Sequence, residues 1–121
     1  MACDFGVSHV GLGDCAPGYI YIATDGARAK IGSTRLDSRF SSIRSRLSKL
    51  NHKYAKNGCR FSVAVVLRFD GCVKGLEFAM HKKFEFNRIG LAELFSNPDE
   101  IIEYAKRINS YCGKEVTVME N

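Results

Sequence analysis

The sequence predicts one α+β domain with the element order ββαβαα, followed by a short final strand. Three observations lead to this fold class. The chain has 121 residues, 45% hydrophobic and 26% charged, which is the length and composition of an ordinary single domain. Two runs of β-branched and aromatic residues flank a turn near residue 25. Apolar residues then recur at helical spacing in three later segments.

The first two strands are expected to form a hairpin. Tyr19–Ala23 is rich in residues that favour strands, Thr24–Gly26 reads as a turn, and Ala29–Gly32 as a short second strand. Residues 1–17 contain three glycines and a proline and show no periodicity. We therefore expect a partly ordered lead-in over 1–17 and a single domain over 18–121.

A long amphipathic helix follows the hairpin. Its apolar seam repeats at steps of three and four and ends before Asn57-Gly58, with the positions Leu36, Phe40, Ile43, Leu47, Leu50 and Tyr54. The run Phe61–Phe69 is rich in valine and phenylalanine and predicts a buried strand. The longest apolar run within it, Val63–Leu67, is far shorter than the roughly 20 residues of a membrane span, so no membrane partner is expected.

Two more helices and a last strand complete the prediction. The second helix has its apolar stripe at Val73, Leu76, Met80 and Phe84 and ends before Asn87. The third helix is expected to have Asn97 as its N-terminal cap and Pro98 as its first residue, because proline suits the first helical position. Residues 115–119 are expected to form the final strand.

The net charge of +5 is unevenly distributed. Residues 27–60 alone carry +9, because ten lysines and arginines face one acid, Asp37. Basic residues on the first helix lie on one flank of its apolar seam, beside the short serine hydroxyls that lie opposite the seam. A polyanion is the natural partner of such a surface, although a solvated helix face is the alternative. The residues expected to contact phosphates are Arg35, Ser42, Arg46, Lys49 and Lys53, and a second path would use Lys74, Lys82, Lys83 and Arg88.

The five cysteines are odd in number and contain no CxxC pair, which does not suit a disulfide framework. Residues 1–17 also lack the lysine or arginine of a secretory signal. We expect an intracellular protein with free thiols. A zinc site formed by His52, Cys59 and Cys72 is the less favoured alternative, since the spacing fits no ligand pattern.

Glu77 falls on the apolar stripe of the second helix, with His81 one turn further on. A carboxylate in that position must be paired, protonated or bound to a metal. Pairing with an arginine such as Arg39 is the simplest interpretation, and His81 could hydrogen-bond the carboxylate or a substrate.

The order and spacing of these residues resemble the GIY-YIG nuclease superfamily, most closely a subgroup from phages and large DNA viruses. The residues that correspond to the first motif are Gly18-Tyr19-Ile20-Tyr21. After eight intervening residues, the second motif corresponds to Lys30-Ile31-Gly32. An arginine follows nine residues after Lys30, in the first helix. The later matching positions are Leu76-Glu77, His81, Phe84, Arg88 and Glu93-Leu94-Phe95.

The resemblance implies a small mixed or antiparallel sheet, made of the hairpin and the central strand and flanked by three helices. It also implies a metal-dependent endonuclease that cuts duplex or branched DNA. Tyr21 would be the general base, aided by the charge of Lys30. Arg39 would bind the scissile phosphate and Glu77 would hold one Mg²⁺ or Mn²⁺, while Tyr19 and Gly32 would be structural residues of the motifs.

Two other functions stay open. One is a DNA-binding module that keeps the scaffold without catalysis, and the other is an RNA-directed or protein-interaction role. A homodimer would suit the cutting of two strands. If the chain is viral, as the subgroup suggests, its place would be the cytoplasm or nucleus of a host cell.

Overall fold

The computed structural model describes residues 16–35, 39–54, 60–90, 93–112 and 114–115. The predicted α+β class and element order are confirmed in these residues, and the expected lead-in falls almost entirely outside them, as do residues 116–119 of the expected last strand. The elements are β1 (Gly18–Thr24), β2 (Ala29–Arg35), α1 (Arg39–Tyr54), β3 (Ser62–Phe69), α2 (Val73–Lys83), a 3₁₀ turn (Glu85–Asn87), α3 (Pro98–Cys112) and β4 (Lys114–Glu115).

The strands form one antiparallel sheet in the order β2-β1-β3-β4. β1 pairs with β2 on one side and with β3 on the other. Tyr21 of β1 therefore lies between Gly32 of β2 and Val66 of β3. β2 is longer than predicted by three residues, ending at Arg35. Its extension includes Ser33 and Thr34, which are buried although they are polar.

Helices cover both faces of the sheet. α1 packs on the face that carries Tyr21 and Val66, through its buried residue Ile43. α2 and α3 pack on the opposite face, which carries Ile20, Ile22 and Leu67. Because both faces are buried, β1 and β3 read as continuous apolar runs and not as alternating ones. Within the described residues, no helix is long and apolar enough to cross a bilayer.

Residues from three different segments of the chain hydrogen-bond to the outer edge of β2. Ala29 exchanges backbone hydrogen bonds with Phe95, at 2.8 and 2.9 Å. The carbonyl of Ile31 lies 3.0 Å from His81 Nε2 of α2, and the carbonyl of Ser33 accepts from Arg46 Nη1 of α1 at 2.9 Å. Side chains from both faces of the sheet therefore converge on this edge.

The hairpin turn is fixed by Asp25. Its carboxylate accepts hydrogen bonds from the backbone N–H groups of Ala27 and Arg28 and from the Arg28 guanidinium. The same guanidinium donates to the carbonyl of Tyr54 at 3.3 Å, which ties the turn to the end of α1. Burial alone would raise the pKa of Asp25, but these hydrogen bonds and the Arg28 charge outweigh it and lower that pKa below its usual value.

Candidate functional site

Tyr21 lies at the centre of the candidate site and is only 1% exposed. Its side chain covers Gly32, where a Cβ atom would lie within 2.6 Å of two ring carbons and the hydroxyl oxygen of Tyr21. The buried hydroxyl has no hydrogen-bond partner among the described residues. Burial raises the pKa of Tyr21, the nearby Arg46 guanidinium opposes that effect, and the charges of Glu77 and Glu93 add to it. The net shift is upward, so the group is a phenol at neutral pH.

Lys30 lies on the same face of the sheet as Tyr21, since it pairs with Ala23 two residues along β1. Its Nζ is 3.5 Å from Oε1 of Glu93, and its side chain is 21% exposed. The expectation that Lys30 favours the phenolate form of Tyr21 stays a prediction. The pKa of Tyr21 is raised by burial, and the Arg46 guanidinium acts against this shift.

Glu77 reaches the β2 edge from α2, on the opposite face of the sheet. Its Oε1 accepts a hydrogen bond of 2.5 Å from Ser33 Oγ, and its Oε2 lies 3.7 Å from His81 Nε2. The ring of His81 is held edge-on against Phe95, with 5.2 Å between the centroids. The carboxylate on the apolar stripe is therefore hydrogen-bonded, as its position requires, by the Ser33 hydroxyl, with the His81 ring close by.

The catalytic arginine expected from the sequence cannot be placed in the same way. Arg39 begins α1, but its side chain lies outside what the structure describes. Within the described residues, Arg46 is the guanidinium close to Tyr21, seven residues further along the same helix. Since it also bonds the Ser33 carbonyl, Arg46 links the tyrosine to the edge that Glu77 reaches.

A basic cleft of about 500 Å³ opens beside these residues, between the second half of α1 and the segment around Glu93. Four cations and one acid line it, which concentrates positive potential there. Its lining residues are Lys30, Arg46, Lys49, Leu50, Lys53, Tyr54, Glu93 and Leu94. Three of the expected phosphate contacts, Arg46, Lys49 and Lys53, therefore share one cleft.

The remaining predicted contacts lie elsewhere. Arg35 is exposed at the end of β2, and Ser42 is half-buried on α1; neither lines the basic cleft. Tyr19 packs beside Tyr21, with Ile43 of α1 in the same cluster. Both Tyr19 and Gly32 therefore pack beside the Tyr21 side chain.

The donor set at Glu77 is compatible with one hard divalent cation. No three His, Cys, Asp or Glu side chains come together in the part of the chain that the structure describes. A single carboxylate is sufficient for Mg²⁺ or Mn²⁺, because such an ion keeps most of its waters. Glu77 offers its Oε2 for this, and its side chain is 26% exposed. His81 Nε2 is turned to the Ile31 carbonyl and would donate there, so it is not a free metal ligand.

Sequence reasoning missed Ser33, Glu93 as the partner of Lys30, and the proximity of Arg46 to Tyr21. Only one of these left a signal in the sequence. The basic flank of the first helix includes Arg46, but whether the Arg46 side chain reaches the β2 edge depends on how the helix crosses the sheet.

Comparison of the chain with models of known families, with curated proteins and with solved structures finds no match.

Proposed function

We propose that the chain is a metal-dependent endonuclease that hydrolyses DNA phosphodiester bonds at the outer edge of β2. The observation that carries the proposal is the meeting of Arg46 and Glu77 at Ser33, on the outer edge of β2: Arg46 donates to the Ser33 carbonyl, and the Ser33 hydroxyl donates to Glu77. The buried Tyr21, whose pKa is raised, lies beside this edge. Perturbed ionisable groups beside a cationic cleft are typical of catalytic sites. The resemblance of the motifs to GIY-YIG nucleases points to the same chemistry.

The reaction adds water across a P–O bond. The water oxygen bonds to phosphorus, the ester oxygen leaves with the electron pair of the broken bond and takes up a proton, and a base receives the proton of the attacking water. Tyr21 is the proposed base in its phenolate form. Arg46, with Arg39 as the second candidate, would neutralise charge on the phosphate oxygens in the transition state.

Glu77 is the residue that would hold the divalent ion. When bound, such an ion stabilises negative charge on phosphoryl oxygens as a Lewis acid. Ser33 and His81 would orient the carboxylate, since both contact it. Lys49 and Lys53 would hold neighbouring phosphates in the basic cleft.

A second candidate function is a DNA-binding module without catalysis. The specific observation in its favour is the state of Tyr21, whose hydroxyl is buried and whose pKa is raised. A neutral phenol that is shielded from solvent is a weak base, whereas the basic cleft needs no base to hold a phosphate chain.

One experiment separates the two candidates. The purified chain is incubated with supercoiled plasmid and with branched DNA, in Mg²⁺ or Mn²⁺ and with a chelator as control. We expect metal-dependent nicking that falls by about 100-fold in Glu77→Gln, with DNA binding retained. Glu103→Gln is the matched control, because that carboxylate is exposed on α3 and should change neither property.

Binding without nicking in any metal would favour the module without catalysis. Nicking that persists unchanged in Glu77→Gln would rule out this site as its source. Failure to bind any DNA at low salt would remove both candidates and favour an RNA-directed or protein-interaction role.

A further inference from the structure

We propose that the basic cleft binds one unpaired nucleotide, so that single-stranded segments are preferred ligands over continuous duplex. This inference rests on the proposed function, since it specifies the form of DNA that the same surface takes. It starts from the composition of the cleft, in which a cationic rim surrounds an apolar floor. A duplex held only by its phosphates needs the rim but not the floor.

The floor is made by Leu50, Leu94 and the ring of Tyr54. These residues belong to one packed cluster with Ala23 and Phe61, which fixes the ring in place. Tyr54 is half-buried, so part of its ring faces the cleft. Lys53 Nζ lies over that ring, 5.2 Å from its centroid.

An aromatic ring within a cationic cleft has the two features by which proteins hold single strands, a phosphate path and a stacking platform. A base can stack on Tyr54 only if it has left its own base stack, because neighbouring stacked bases cover each other's faces. The lysine over the ring in the free protein has a flexible side chain and is free to move to a phosphate. The cleft volume of about 500 Å³ is within the range of small-ligand sites.

Glu93 also distinguishes this cleft from a surface that binds any polyanion through cations alone. Its carboxylate is 64% exposed and lies inside the cationic rim, 3.5 Å from Lys30. An acid repels phosphate, but it accepts hydrogen bonds from the amino groups on the pairing edge of a base. The N–H bonds that point along the pairing edge can donate to Glu93 only when the base is unpaired, whereas a paired base presents only its second amino N–H, in the major or minor groove.

The test compares a fluorescent single strand of about 12 nucleotides with its blunt duplex, by anisotropy at one salt concentration, using the full chain. We expect the single strand to bind more tightly. Tyr54→Leu should weaken single-strand binding by about tenfold and leave duplex binding unchanged, since leucine keeps the apolar packing but removes the stacking face. Tyr54→Phe should bind like the wild type.

Two lysine variants give the matched comparison. Lys53→Ala should weaken both ligands, and Lys106→Ala, an exposed lysine on α3, should weaken neither. Inorganic phosphate is titrated as a competitor, and it should displace the single strand only weakly.

The inference fails if Tyr54→Leu, still folded by circular dichroism, binds the single strand as well as the wild type does. It also fails if the duplex is the preferred ligand or if phosphate alone competes as strongly as unlabelled single strand. In those cases duplex binding and metal-dependent nicking, measured on the same preparation, still report on the proposed function. Loss of all DNA binding in the wild type would overturn both.

Discussion

Tyr21 and Gly32 lie directly opposite each other in the β1–β2 ladder, and the tyrosine ring fills the space in which any other residue at position 32 would place its Cβ atom. Gly32→Ala should therefore displace the ring and destabilise the fold by about 1–3 kcal/mol, as overpacking does in other cores. Urea denaturation measures the loss. In a Tyr21→Ala background the same glycine substitution should cost much less, because the clash is gone. Equal costs in both backgrounds would contradict the close approach.

The raised pKa of Tyr21 predicts how DNA cleavage depends on pH. If the phenolate is the base, its fraction increases about tenfold with each pH unit below a pKa that burial holds above about 10. The nicking rate should then rise with a slope near one from pH 6.5 to 9, measured as initial rates on plasmid. Tyr21→Phe should lose this slope. A wild-type rate that levels off below pH 8 would assign the base to another group.

The cleft lysines predict the salt dependence of DNA binding. With four or five phosphate contacts, the logarithm of affinity for duplex should fall with the logarithm of salt at a slope of roughly −4. Lys49→Ala and Lys53→Ala should each reduce the magnitude by about one, and Lys106→Ala should not change it. Unchanged slopes in both cleft variants would move the phosphate path to the alternative set, Lys74, Lys82, Lys83 and Arg88.

Asp25 predicts an acid-sensitive contribution to stability. Its pKa is lower in the folded chain than in the unfolded one, so the folded state binds fewer protons. The stabilisation is complete above the unfolded pKa of about 3.9 and is lost as pH falls through the folded value. Asp25→Asn should cost about 1–2 kcal/mol at pH 7 and progressively less below pH 4, by urea denaturation. Asp70→Asn, at an exposed carboxylate 3.9 Å from Arg68, should cost almost nothing at either pH.

The sequence predicted well those helices and strands whose apolar pattern fits only one type of secondary structure. The seam of α1 is confirmed at Ile43 and Leu50, which are buried, and the valine-rich run is confirmed as β3. Pro98 begins α3 as expected. The second half of β2 was missed because Ser33 and Arg35 do not favour strands, and a single β-branched residue between them, Thr34, does not make a strand pattern. Both Ser33 and Thr34 are buried in the sheet, where they pair with β1.

The candidate site was predictable in its residue types but not in its connections. Glu77 stood out because a charge interrupted an apolar stripe, but its partner Ser33 is brought to it only by the sheet. The distance from Arg46 to Tyr21 likewise depends on how α1 crosses β2, which helical periodicity does not specify.

The groups that meet the outer edge of β2 have a second consequence, for solubility. An edge strand with free carbonyls invites pairing with the strands of other molecules and so promotes aggregation. Here Phe95, His81 and Arg46 occupy successive outward positions of that strand. Two of these side chains also belong to the candidate site, so any substitution that removes them exposes part of a strand edge. The proposed function and the resistance to aggregation therefore depend on the same few side chains.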